Sequence, residues 1–116
     1  MLLKSSEITR RFERLSITGQ VPTNTEWEQM EKTLYEVYPC FRDFMQAHRL
    51  LMTSKEHRTC LLVCMGFRPS TISHLLGTSK AYISKIRSGM MRKLFGTTGS
   101  PGEFDKLIQE MAYEPS

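Results

Sequence analysis

The feature that most constrains the fold of this chain is a series of helix start and stop signals in its second half. Thr53 and Glu56 have the residue types and the spacing of a capping box, which predicts that a helix begins there and ends at Gly66. Pro69 suits the first turn of a second helix, and Gly77 should end it. The signals therefore predict two short helices joined by a turn of a few residues.

A third and longer helix should follow this pair. Ser79 is a fitting N-cap for a helix that runs from Lys80 to about Phe95. At about 100° per residue its apolar side chains fall on one stripe, which should face the core: Ile83, Ile86, Met90 and Leu94. Two short helices followed by a longer one are typical of a helix-turn-helix, a motif that places its last helix in the major groove of DNA.

The flanking sequence also predicts helices. Thr25–Glu28 has the pattern of another capping box, which predicts the start of a helix. Pro39 should end or kink this helix. Ser100, Pro101 and Glu103 should begin the last helix. Apolar residues at helical spacing follow each start: Trp27, Met30, Leu34 and Val37, then Phe41, Phe44, Met45 and His48, and finally Phe104, Leu107, Ile108 and Met111. No stretch of useful length alternates as a β-strand would, so we expect an all-α fold.

These signals divide the chain into four parts. We expect an N-terminal helix (an arm or the end of a linker) in residues 1–20 and supporting helices in residues 23–51. A helix-turn-helix DNA-binding domain should occupy residues 52–96, and a C-terminal helix residues 100–113. The expected fold class is therefore a small all-α domain, with a three-helix core and flanking helices, which suits a chain of 116 residues.

Charge is distributed unevenly along the chain. No acidic residue lies between Glu56 and Glu103, whereas that interval contains seven cationic residues: Arg58, Arg68, Lys80, Lys85, Arg87, Arg92 and Lys93. This interval therefore carries the excess that gives the chain its net charge of +4. A surface without carboxylates suits a polyanion, because each phosphate that is neutralised releases condensed counterions. Double-stranded DNA is thus the first partner to consider.

The predicted third helix presents small, polar and cationic residues opposite its apolar stripe. Lys85 could donate to guanine, and Ala81 could touch a thymine methyl group. Ser84 and Ser88 could contact either type of base pair. Longer side chains at the ends and edges of the helix suit DNA phosphates: Lys80, Tyr82, Arg87, Arg92 and Lys93, together with Arg68 before the second helix. The alternative is an ordinary solvated face of a small helical domain.

The same segment resembles a known family. It is similar to the helix-turn-helix of LuxR-type transcription regulators at these positions: Thr53–Glu56, Gly66, Ile72, Leu76, Ser79, Ile83 and Met90–Leu94. It departs from the usual pattern at Thr71–Ser73 and at Tyr82. A looser similarity, from Trp27 onward, is to the C-terminal part of Bacteroidetes regulators. The resemblance implies a bacterial transcription regulator in which Ser84, Lys85 and Ser88 contact bases.

Two further apolar stripes are candidates for assembly. The resemblance implies pairing through the helix after the recognition helix, where Phe104, Leu107, Ile108 and Met111 lie, although this stripe could equally pack inside the domain. The competing stripe is Ile8, Phe12 and Leu15. The N-terminal helix that carries it could dock on its own domain, pair with a second copy, or be the end of a longer linker helix. A homodimer would require an operator with two-fold symmetry.

A metal site and an enzymatic function have weaker support in the sequence. His57, Cys60 and Cys64 recur along one predicted helix and could face a metal ion, yet a fourth ligand and the paired CxxC spacing are missing. We therefore expect core thiols beside a surface histidine, with no metal or cofactor. No glycine-rich turn or oxyanion donor pattern lies near the candidate nucleophiles and bases, Cys40, His48, Cys60 and His74, so we do not expect an enzyme.

The second candidate function is a helical protein-interaction adaptor that contacts RNA polymerase or a sigma factor through the basic face. The sequence has no apolar run long enough to span a membrane and no h-region of a signal peptide. The cysteine count is odd, which suits reduced thiols better than a disulfide framework. We therefore expect a cytoplasmic location.

Overall fold

The computed structural model describes residues 6–114, and this part of the chain is all-helical. It consists of α1 (Glu7–Thr18), α2 (Asn24–Val37), α3 (Pro39–Ala47), a 3₁₀ turn (Arg49–Leu51), α4 (Ser54–Met65), α5 (Pro69–Leu76), α6 (Lys80–Phe95) and α7 (Pro101–Ala112). The all-α fold class is confirmed. None of these helices is both long and apolar enough to cross a lipid bilayer.

Most helix ends lie where local sequence signals predict them. The Thr53 side chain accepts a hydrogen bond from the Glu56 amide, and the Glu56 carboxylate accepts one from the Thr53 amide, which completes the predicted capping box of α4. The same arrangement at Ser100 and Glu103 starts α7. Gly66 adopts a left-handed conformation, with φ of 87°, at the end of α4. A side chain at such a position would be strained, which is why glycine stops the helix there.

The predicted start of α2 is wrong by two residues. The capping box is formed by Thr23 and Glu26, not by Thr25 and Glu28. The Thr23 amide donates to Glu26 Oε1 at 2.9 Å, and Arg11 Nε donates to Glu26 Oε2 at 2.6 Å. Both Thr–Glu pairs have the three-residue spacing of a capping box, but only Glu26 also accepts a hydrogen bond from a residue of α1. The pKa of Glu26 is lowered by the Thr23 amide first and by Arg11 next.

The N-terminal helix docks on its own domain. Ser6 caps α1, Gly19 ends it, and Ile8, Phe12 and Leu15 are buried. The Phe12 ring meets the Trp27 ring edge-on at a centroid distance of 5.0 Å. The proposed dimer interface through Ile8, Phe12 and Leu15 is therefore wrong, because this stripe already packs against α2 and α5. The beginning of the predicted helix, before Ser6, lies outside the described residues.

Helix α4 is the centre of the domain, where it packs against α2, α5, α6 and α7. Cys60 and Cys64 are buried free thiols, as predicted. His57 is also buried, with only 5% of its surface exposed, so the prediction of a surface histidine is wrong. The reason is the neighbouring α2, which brings the Tyr35 hydroxyl to 3.4 Å from His57 Nε2.

The burial of His57 should make folding stability depend on pH. Burial, followed by the charges of Arg49 and Arg58, lowers the pKa of His57 from 6.5 to about 4, even though Glu31 Oε2 lies 3.8 Å away. The unfolded chain binds a proton below pH 6.5 that the folded chain binds only near pH 4, so stability should fall as pH decreases through this window. By pH 5 the loss should be about 2 kcal/mol.

Urea denaturation at pH 7 and at pH 5 tests this expectation when the wild type is compared with His57→Gln. Glutamine does not titrate and can still bond to Tyr35, so the variant should lack this part of the pH dependence. Equal pH dependence in both proteins would show that His57 is not the group responsible.

Candidate nucleic-acid interface

A short turn sets the angle between α5 and α6. Gly77 has a φ of 66°, and its amide donates to the carbonyl groups of Ser73 and His74 at the end of α5. The Thr78 amide donates to the Ser73 carbonyl at 2.9 Å. Ser79 then caps α6 by accepting from the Tyr82 amide at 3.1 Å. Only three residues separate the two helices, a connection as short as the one predicted from the sequence.

The two sides of α6 have the predicted environments. Ile83, Ile86, Met90 and Leu94 are buried in the core, as expected. Ala81, Lys85, Gly89 and Arg92 are exposed on the other side, which we call the outer face of α6. Ser84 and Ser88 flank this face and are half-buried. The four residues predicted to contact bases therefore lie on or beside one accessible helix surface.

Gly89, which helical geometry places on the flank of the predicted face, is a further exposed member of the outer face. It lies inside a helix of 16 residues, where glycine costs about 1 kcal/mol relative to alanine. A Cβ atom built at this position would meet no heavy atom within 4 Å, so internal packing does not require glycine here. Because glycine has no side chain, none projects from the outer face at this position.

Lys55, which belongs to α4, lies next to α6. Its ammonium nitrogen lies over the Tyr82 ring, 5.3 Å from the centroid. Tyr82 is 41% exposed, so the pair forms an accessible cation–aromatic edge beside α6. Lys55 precedes the acid-free interval in sequence, which is why the charge pattern did not single it out. Arg68 and Lys80 are exposed before α5 and at the start of α6 and can contribute further positive charge.

The prediction that Arg87 contacts phosphate is wrong. Arg87 is only 4% exposed, and its Nη1 donates to Asp105 Oδ2 of α7 at 2.5 Å. On the α6 helix it lies with the core-facing stripe, two residues after Lys85. Burial raises the pKa of Asp105, and the adjacent guanidinium only partly opposes that shift. Arg87 thus holds α6 against α7 and is not available to a ligand.

Lys93 is accessible but is already paired. Its ammonium donates to both carboxylate oxygens of Glu56, at 2.8 and 2.9 Å. Although burial of Glu56 opposes the effect, the Lys93 ammonium and the Thr53 amide hold the pKa of Glu56 below its usual value. Glu56 lies just before the start of the acid-free interval, yet its side chain reaches α6. Lys93 is therefore a weaker candidate for phosphate contact than Lys80 or Arg92.

Comparison with known proteins was made at the levels of family models, curated sequences and solved structures. None matches this chain. The interpretation of the outer face of α6 therefore depends on its own geometry and charge.

The C-terminal stripe is largely internal. Phe104 and Ile108 are fully buried, whereas Leu107 and Met111 are half-buried. The Tyr113 hydroxyl donates to the Cys64 carbonyl at 2.8 Å, which fixes the end of α7 to α4. The proposed dimer interface is therefore wrong for Phe104 and Ile108, which the domain itself covers, and only Leu107 and Met111 could contact a second copy.

The three candidate metal ligands on α4 have different neighbours. His57 Nε2 faces Tyr35, whereas Cys60 Sγ lies 3.7 Å from Met90 Sδ in the core. Burial raises the pKa of both cysteine thiols far above neutral pH. Because thiolates are the form that binds metals and attacks substrates, Cys60 and Cys64 are suited to packing.

Proposed function

We propose that this domain binds double-stranded DNA by placing α6 in the major groove, as part of a bacterial transcription regulator of LuxR-like type. One observation carries the proposal: the outer face of α6 combines small residues with Lys85 and Arg92 and contains no carboxylate. The three-residue turn after α5 supports it, because a short connection of this kind is typical of a helix-turn-helix, whose last helix enters the major groove.

The side chains on this face divide into two roles. Lys85, with Ser84, Ser88 and Ala81 beside it, is near the middle of the helix and has the chemistry for base edges. Arg68, Lys80, Arg92 and Lys55 surround the middle and suit phosphates, with Tyr82 alongside Lys55. If two copies bind a symmetric site, Leu107 and Met111 are the part of the C-terminal stripe that can pair them.

Salt dependence tests this mode of binding. Four or five cations without a bound carboxylate should each release counterions, which predicts a log–log slope of affinity against salt of about −3 to −5. Affinity should then fall by roughly 60- to 1,000-fold between about 50 and about 200 mM salt. Fluorescence anisotropy with a labelled duplex of arbitrary sequence measures this, because the phosphate contribution does not depend on sequence. The proposal fails if no duplex binds at low salt.

A different observation favours the adaptor function as second candidate. Leu50 is fully exposed and Leu51 is 53% exposed on the 3₁₀ turn. An apolar protrusion of this kind can insert into a pocket of a protein partner such as RNA polymerase or a sigma factor. Leu50→Ser should weaken binding to such a protein partner but leave duplex binding unchanged, since this residue lies on neither α5 nor α6.

A further inference from the structure

A small polar pocket lies between α2, the 3₁₀ turn and α4, and no residue of α5 or α6 lines it. Its volume is about 260 Å³. Six of its lining residues matter for its chemistry: Trp27, Glu28, Glu31, Arg49, His57 and Arg58. Pockets for drug-sized ligands generally have volumes of about 300–1,000 Å³, so this one suits a smaller molecule.

The pocket contains balanced opposite charges. Arg49 and Arg58 contribute two guanidinium groups, and Glu28 and Glu31 contribute two carboxylates. Arg58 is held in place on two sides, because its Nη2 donates to Asn24 Oδ1 at 3.0 Å and its guanidinium lies 5.0 Å from the centre of the Trp27 ring. A guanidinium fixed in this way is pre-organised to receive a carboxylate.

The buried His57 side chain lines the pocket, and two half-buried polar side chains lie near its imidazole. His57 Nε2 lies 3.4 Å from the Tyr35 hydroxyl and 3.8 Å from Glu31 Oε2. Burial, followed by the charges of Arg49 and Arg58, lowers the pKa of His57, so the imidazole is neutral at pH 7. Burying the His57 imidazole costs stability that an apolar residue would not cost. A buried histidine beside a pocket lined with charged side chains is a candidate for ligand binding.

We propose that this pocket binds a small zwitterion of the α-amino-acid type. The ligand carboxylate contacts Arg49 and Arg58, and the ligand ammonium group contacts Glu28 and Glu31. A simple anion is disfavoured by the two carboxylates, and a simple cation by the two guanidinium groups. The neutral His57 imidazole offers a hydrogen bond without adding a charge. This inference does not depend on DNA binding, and its test contains no DNA.

The only tryptophan of the chain provides a direct signal, because Trp27 lines the pocket. Titration of the intact protein with each of the common L-α-amino acids, followed by tryptophan fluorescence and by isothermal titration calorimetry, should identify at least one that binds saturably. A dissociation constant of about 10 µM to 1 mM is expected for a ligand of this size. Acetate and methylamine, which carry one charge each, should bind at least about tenfold more weakly.

Variants then locate the site. Arg49→Gln and Glu28→Gln should each weaken binding by at least about tenfold, and both positions are exposed enough for the fold to tolerate the change. Arg10→Gln and Glu36→Gln are matched controls on α1 and α2 and should leave the affinity unchanged. The inference is overturned if no amino acid binds saturably at millimolar concentration, if acetate binds as tightly, or if the controls weaken binding as much as the site variants.

Discussion

Replacing Asp105 with alanine should destabilise the folded domain by about 3 to 5 kcal/mol. The change leaves the Arg87 guanidinium, which is only 4% exposed, without its partner. No hydrogen-bond partner for Arg87 Nε or Asp105 Oδ1 is found among residues 6–114, so few other contacts could compensate. A buried charge without a partner costs much more free energy of folding than the intact ion pair contributes. Urea denaturation at pH 7 measures the loss.

The double variant Arg87→Met, Asp105→Leu is the matched control. It removes both charges and keeps similar side-chain volumes, so it should be as stable as the wild type or more stable. If the double variant loses as much stability as Asp105→Ala, the packing of α7 is responsible and the ion pair is not. If Asp105→Ala loses less than about 1 kcal/mol, Arg87 finds water or another acceptor easily.

The boundaries of α4, α5 and α6 could be predicted because their signals are local. A threonine three residues before a glutamate, a glycine with positive φ and a proline in the first turn each act through their own backbone and that of the next few residues. The stripe of Ile83 and Met90 is equally local, since it depends only on helical periodicity. From these local features, both the all-α fold and the accessible face of α6 could be predicted.

The partners of charged side chains could not be predicted in the same way. Arg87 pairs with a residue 18 positions away, and Lys93 with one 37 positions away. These contacts depend on how α7 and α4 cross α6, which no short sequence window encodes. Periodicity does place Arg87 near the core stripe, and that signal could have excluded it from the phosphate contacts. The pocket around Trp27 joins three elements and has no sequence signature.

Charge reversal at Lys85 should abolish selective binding to DNA, provided that α6 lies in the major groove. Lys85→Ala removes a donor to a base edge and should cost about 1–3 kcal/mol on the preferred site, whereas Lys85→Glu adds repulsion and should cost about 3 kcal/mol or more. The preferred site is obtained first by selection from a random duplex pool. Both variants should also lose discrimination at one or two base pairs, because the lost contact is to bases.

Arg92→Ala should behave differently, although it lies on the same face. It should weaken binding to all sequences alike and make the salt slope shallower by about one, since the contact proposed for it is with phosphate. Lys106→Ala is the control, because this exposed cation is on α7 beside Glu110 and should change neither property. Selectivity and salt slope thus separate a base contact from a backbone contact within one helix. Uniform weakening by Lys85→Ala, with selectivity intact, would show that another surface enters the groove.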